Sequence, residues 1–277
     1  DWSSDVCSSD LLVERLRQRF GWPVVYDCLD NQQAFGDLHR HNEAHLEAAL
    51  VRDAALVVTS GRTLYELQSP RNPNTIFISN AADYELFSSA APKGLLRHLP
   101  KPIAGFFGAF SEWLDRGWIA AAAKRFPSWS FVYIGREGFA RSSSQRDWQA
   151  AVSAPNITVL PQAAPALLAD YLAEFDACIM PFRDLPITRS MNAVKLYEYL
   201  AAGKPVVAPD LPEVRPLAEK RLVAVYREWE QSFALLEQAV ALGTGEELVR
   251  ARREFASSNT WRHRVGALDA ALRRVVE

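Results

Sequence analysis

Cysteine is scarce in this 277-residue chain: only Cys7, Cys28 and Cys178 occur, and no two stand at C-x-x-C spacing. That excludes a disulfide framework and a thiolate zinc site, and makes a reducing cytoplasm the expected compartment. Charge of one sign is not in excess either. Lys and Arg total 31 against 33 Asp and Glu, a net −2, so no whole face is expected to grip nucleic acid or an anionic membrane. No apolar run approaches the ~18 residues needed to span a bilayer. The dinucleotide fingerprint G-x-G-x-x-G is missing as well, since Gly105–Gly108 and Gly135–Gly138 are only G-x-x-G. What remains is ordinary for a folded protein. The chain is 49% hydrophobic and 23% charged, with length for two domains or one large α/β domain.

The first ten residues, Asp1 to Asp10, hold neither a basic nor an apolar stretch, so they do not read as a signal peptide. They resemble translated sequencing adapter and are expected to be non-native or disordered, with the natural protein continuing upstream. From residue 11 helical and strand patterns alternate, which implies βαβ crossovers and parallel sheets. Residues 11–88 read as the C-terminal part of one Rossmann-like domain. Residues 89–102, with Pro92, Gly94, Pro100 and Pro102, read as a linker. Residues 103–256 read as a second, complete Rossmann-like domain. Residues 257–277 read as a closing helix that packs back on the first. In such sheets ligands bind beyond the carboxyl ends of the strands.

The most informative stretch runs from Pro181 to Val207. A helix is expected from Asn192, as N-cap, to Gly203, as the residue just past its end. At roughly 100° per residue, Val194, Leu196, Tyr197, Leu200 and Ala201 form one apolar arc, and Lys195, Glu198, Tyr199 and Ala202 the other. A cation in the first turn opposes the helix dipole by about 0.3–1 kcal/mol. A bound phosphate would reverse that sign, because amide N–H groups, dipole and ammonium would all address it. Glu198 could then accept hydrogen bonds from a ribose diol. A solvent-facing Lys195–Glu198 pair, worth a few tenths of a kcal/mol, fits the spacing equally.

Elsewhere the bland readings stay beside the chemical ones. Gly108 could let phosphates approach the backbone, or simply turn the chain. Arg136 could edge a base or phosphate, or be solvated. Asp27 and Asp30 follow a strand end, where either a base or a turn former would sit. His39, His41 and His45, with Glu43 and Glu47, read His-Asn-Glu-Ala-His rather than H-E-x-x-H, so no metal is expected there.

The block Asn192 to Val207, with its Lys195, Glu198 and Leu200-Ala201-Ala202-Gly203-Lys204-Pro205-Val206-Val207 ending, resembles the donor segment of GT-B glycosyltransferases of the family 1/4 type. Val25–Asn31, Asp53–Ser60, Ser79–Asp83 with Phe87, Gly105–Phe110 with Trp113–Asp115, and Asn259–Trp261 resemble the family's other segments in the same order. The resemblance implies a two-Rossmann α/β architecture and transfer from a nucleotide-diphosphate sugar to a saccharide or lipid-linked acceptor, in bacterial envelope or exopolysaccharide synthesis. It implies donor contacts at Gly108, Arg136, Thr188, Lys195 and Glu198, and a catalytic role for Asp30. No cofactor or metal is implied, and the membrane contact would be peripheral at the inner face. Three departures stand out. Ser190 occupies the position of the family's earlier glutamate, Ala81 replaces a glycine, and the opening part of the acceptor domain is absent. A non-catalytic nucleotide-sugar-binding fragment and a GT-B sugar-nucleotide epimerase therefore stay open.

Overall fold

The computed structural model describes residues 13, 15–34 and 43–276. Residues 1–10 with Cys7, the start of the helix expected at residue 11, and His39 and His41 lie outside the described residues, as do the side chains of Glu43 and His45. Two parallel sheets organise the rest. The first joins β1 (Val25–Cys28), β2 (Leu56–Thr59) and β3 (Thr75–Phe77) in that order. The second holds β4 (Ile103–Phe107), β5 (Ser130–Gly135), β6 (Ile157–Pro161), β7 (Ala177–Ile179), β8 (Val206–Pro209) and β9 (Ala224–Tyr226), ordered β6-β5-β4-β7-β8-β9. Its connections run outward in one direction from β4 and in the other from β7. The crevice beyond the carboxyl ends of these two strands is thus the switch point of a doubly wound sheet, where ligands bind.

Central parallel strands are covered on both faces, which is why β4, β7 and β8 read as apolar runs and are buried throughout. Aromatic rings fill the second lobe. Phe110 stacks on Trp148 at 4.5 Å between centroids, and Tyr133 meets Trp148 edge-on at 5.7 Å. Trp148 lies on the Ser142–Ala151 helix, whose sequence is otherwise nearly all polar and gives little periodic signal. The expected linker is pinned to this lobe: the amides of Leu95 and Leu96 donate to the Glu174 carboxylate at 2.6 and 2.8 Å, and Leu96 is buried.

The first lobe is held differently. Its apolar core is Val51, Ala54 and Val57 with Tyr26 against them. Around it, the buried Glu47 carboxylate accepts from Tyr26 Oη at 3.0 Å and from the amides of Gln33 and Gln68 at 3.4 Å. Asn72 donates to the carbonyls of Val51 and Ala54.

Residues Glu246–Ser257 and Trp261–Val276 form the last two helices. At the turn between them Asn259 accepts the amide of Ala82, and Arg264 donates to the carbonyl of Asn80, tying the chain's end to the strand-to-helix connector of the first lobe. Among the described residues no helix is long and apolar enough to cross a membrane.

Candidate functional site

The helix that carries Lys195 and Glu198 runs Val194–Ala201, its N-cap one residue later than expected, at Ala193, with no capping side chain. Asn192 is not the cap, because its side chain is engaged with Asn80 instead. The other end is as its glycine implies. Gly203 takes φ +75, its amide donates to Leu200, and that of Lys204 donates to Tyr199, the paired closure that needs a left-handed residue. Tyr199 corrects the two-arc reading. It is fully buried, its hydroxyl accepts the amide of Phe107 at 3.2 Å, and its ring meets Phe107 edge-on. The helix is enclosed on more than one side, and Tyr197 stacks on Phe255 from the Glu246–Ser257 helix, so apolar positions are not confined to one stripe.

Lys195 reaches forward to the end of β4. Its Nζ sits over the rings of Phe106 and Phe182, 5.4 and 5.2 Å from their centroids. Gly108 faces it directly: at φ +143, a Cβ there would lie 2.9 Å from Lys195 Cε. Among the described residues, neither Lys195 nor Glu198 forms an ion pair or a side-chain hydrogen bond, so the i,i+3 surface pair is not what the fold builds. Burial holds the lysine down at about 8, with Glu198 acting the other way. Burial lifts the Glu198 carboxyl to about 7, against the pull of Lys195. An ammonium short of counter-charge beside an uncapped helix amino end is a place where an anion gains both partners at once.

The floor in front of Lys195 is formed where the chains leaving β4 and β5 touch. The Gly108 amide donates to Ile134 at 2.9 Å, that of Phe110 to Arg136, and that of Gly138 to Phe110. Gly135 lies so close that a Cβ on it would stand 1.9 Å from the Gly108 carbonyl oxygen. Gly108, Gly135, Arg136 and Gln162 line a cavity of about 160 Å³, which brings Gly108 and Arg136 together, with Arg136 exposed. Glu112 fixes this rim from above. Its carboxylate accepts from Ser111 Oγ at 2.8 Å and from the Ala140 amide at 2.9 Å, and with the backbone bonds these outweigh burial and hold it below the usual carboxylate range. Asp115 caps the Arg116–Arg125 helix through the Trp118 amide and also accepts the Trp229 indole.

Thr188 is a correction. It is fully buried, its hydroxyl donates within the loop to Arg183 at 2.6 Å, and the same oxygen accepts the amide of Leu185. It braces the loop between β7 and the Lys195 helix and offers no side-chain atom to a ligand. Ser190, in the same short Pro186–Ser190 helix, donates to the carbonyls of Pro186 and Ile187.

Asp30 lies in the first lobe, just beyond β1, and burial raises its carboxyl above the ordinary range, as it does that of Asp27. Ser60 donates to Leu29 beside it at 2.7 Å. Cys28 and Cys178 are buried and free, and no group of three metal-ligating side chains converges among the described residues. Phe106, Phe182 and Gln162 went unnoticed in the sequence. Phe106 lies near the end of β4 and Phe182 three residues beyond the adjacent β7.

A family model described as "Glycosyl transferases group 1" matches residues 101–239. Among curated proteins the chain is 25% identical over 265 residues to TuaH of Bacillus subtilis, described as a teichuronic acid biosynthesis glycosyltransferase; the match covers 89% of this chain and 66% of that protein. The chain thus spans just under two thirds of that relative's length. Among solved structures it is similar to sucrose-phosphate synthase from Thermosynechococcus elongatus (TM-score 0.77, 18% identity, 97% of this chain and 71% of that one). It is also similar to HepE from Anabaena solved in complex with UDP (TM-score 0.77, 15% identity, 96% and 76%). These structural likenesses carry the two-lobed α/β fold.

Proposed function

The chain belongs to the group 1 glycosyl transferases, and on that premise we propose that it transfers a sugar from a nucleotide-diphosphate donor to a saccharide or lipid-linked acceptor in the building of an envelope polysaccharide. The observation that carries the reading is the Lys195 ammonium, held over Phe106 and Phe182 against Gly108 with, among the described residues, no carboxylate in an ion pair with it. In the transfer an acceptor hydroxyl oxygen forms a bond to the anomeric carbon, while the bond from that carbon to the β-phosphate oxygen breaks. The departing diphosphate gains negative charge. Lys195 and the amino end of the Val194–Ala201 helix meet that charge where it grows, the kind of stabilisation that lowers a transfer barrier. Glu198, one turn on, accepts from the ribose hydroxyls, and the cavity edged by Arg136 and Gln162 receives the base. Asp30, with its raised carboxyl, takes the acceptor's proton.

HepE, solved with UDP, and TuaH, named for teichuronic acid synthesis, support the donor type and the pathway. The test is calorimetric titration with UDP and GDP, followed by a transfer assay with radiolabelled UDP-sugars and membrane-derived acceptors. Saturable nucleotide binding with acceptor-dependent release of nucleotide is expected. Product formed without any acceptor would mark an epimerase, and binding without turnover a non-catalytic module. Asp30→Asn should lower kcat about 100-fold or more while leaving the affinity for UDP unchanged; an equal fall in both would remove Asp30 from the chemistry.

A further inference from the structure

The two lobes meet through groups that act on the few residues leading into Lys195. The Arg62–Gln68 helix of the first lobe begins at Gly61 without a capping side chain of its own. Its leading amides, Arg62 and Thr63, donate to the carboxylate of Glu213 in the second lobe at 3.1 and 2.7 Å. Glu213 is only 7% exposed, so the carboxylate and the helix amino end satisfy each other in place of water. Gly61 packs on the same seam: a Cβ there would stand 2.9 Å from the carbonyl oxygen of Ser190 and 3.1 Å from Glu213 Cδ. The Thr63 hydroxyl addresses the carbonyl of Arg189 at 3.4 Å.

Asn192 is gripped from the first lobe's connector on both its side chain and its backbone. Its Oδ1 accepts the amide of Asn80 at 3.1 Å, and its carbonyl accepts the Asn80 side-chain amide. It also reaches Glu213 through Nδ2 at 3.5 Å. Residues 189 and 192 are therefore hydrogen-bonded from the opposite lobe, with residue 190 packed against Gly61 between them, and the helix bearing Lys195 starts at residue 194 with no capping side chain to set its entry.

We propose that Asn80, Asn192 and Glu213 are positioning residues: the seated first lobe fixes the 189–193 segment, and through it the placement of the Lys195 ammonium against Gly108. Affinity for the donor nucleotide is then made partly by a lobe that need not touch it. This inference rests on the donor role of Lys195 argued above.

The test is UDP titration of the full 277-residue chain, at a temperature where circular dichroism shows each variant folded. Asn80→Ala and Gly61→Ala should each weaken UDP binding about tenfold, within the usual range of coupling between sites. The two variants perturb the seam by different means, loss of a bond and insertion of a methyl group, so failure of one to fold leaves the other. Combined with Lys195→Ala, the further loss from Asn80→Ala should shrink to roughly twofold or less, since coupled residues are not additive. A purely structural seam would lower the melting temperature and leave UDP affinity untouched; that result overturns the proposal. An undiminished loss in the Lys195→Ala background overturns it too. If Lys195→Ala itself binds UDP as tightly as the parent, the donor reading falls first, and the inference with it.

Discussion

The second lobe and the first solve the same folding problem with different materials. In the second, six strands and their flanking helices share one continuous apolar core, with Trp118, Trp148, Phe106, Phe131 and Phe175 fully enclosed. In the first, three strands enclose a small aliphatic cluster, and Glu47, Gln68, Asn72 and Thr75 take up buried positions that apolar residues fill elsewhere. Its strand β1 alternates exposed and half-buried residues up to Cys28. Apolar burial is non-directional and scales with area, whereas a buried hydrogen-bond network is only as good as its least satisfied member. The second lobe therefore carries its own stability. The first draws on exact polar contacts and on the seam with its neighbour.

The sharpest way to break that comparison is to remove one central group from each lobe. Trp148→Ala should cost about 3–5 kcal/mol through the cavity it leaves, and urea melts followed by fluorescence and far-UV dichroism should shift together. Glu47→Gln strands one of its donors and should cost about 1–3 kcal/mol. Hydrogen exchange should report that loss in residues 43–78 well before the second sheet opens; a loss spread evenly over both sheets would erase the distinction.

A pair of lysines sharpens the contrast within the second lobe. Lys204 Nζ donates to the carbonyls of Ala173 and Phe175 at 2.8 Å each, closing the end of the Pro165–Glu174 helix. Lys195→Ala should weaken UDP binding by about 1.5–3 kcal/mol, the range for a hydrogen bond to a charged group, with little change in melting temperature. Lys204→Ala should do the reverse, lowering the melting temperature by several degrees and sparing affinity. Identical profiles for the two would leave the ammonium over Phe106 with no special task.

The smallest effect is in pH. On the proposed donor roles, nucleotide binding needs Lys195 protonated and Glu198 ionised, so affinity should peak between about 7 and about 8 and fall on both sides. The empty protein should respond with the opposite logic. Glu198, raised on folding, makes stability fall as pH climbs from its unfolded value of 4.5 towards 7. Lys195, lowered on folding, makes stability rise between about 8 and its unfolded 10.5. Glu198→Gln should abolish the acid limb of both curves, as followed by calorimetry and thermal melts across that range.

Most of the second lobe could be read from its residues. Apolar runs such as Ile103–Phe107 and a glycine that must turn left-handed at Gly203 are local signals, and both hold in the structure. The Ser142–Ala151 helix could not be read this way, because a single tryptophan anchors it. Within the site, Lys195 and Gly108 were visible as residue types out of keeping with their surroundings. Asn192 suits the cap by identity alone, and only the approach of Asn80 from the other lobe diverts it. Thr188 fails for a similar reason: whether a hydroxyl faces a crevice or its own loop depends on a fold of the chain that sequence spacing does not carry. Glu213 has no motif at all, since its partners are backbone amides more than a hundred residues away.

If the recess holds the donor as proposed, the contact of Gly135 with the Gly108 carbonyl sets a limit for anyone wishing to retune which donor is accepted. Even a methyl group at 135 would collide with backbone, so the depth of the recess is frozen by the crossing of two chains. Its breadth is not. Arg136 and Gln162 stand at the margin on side chains that can be exchanged without moving either strand, and a library built on those two positions would explore selectivity while leaving the foundation alone.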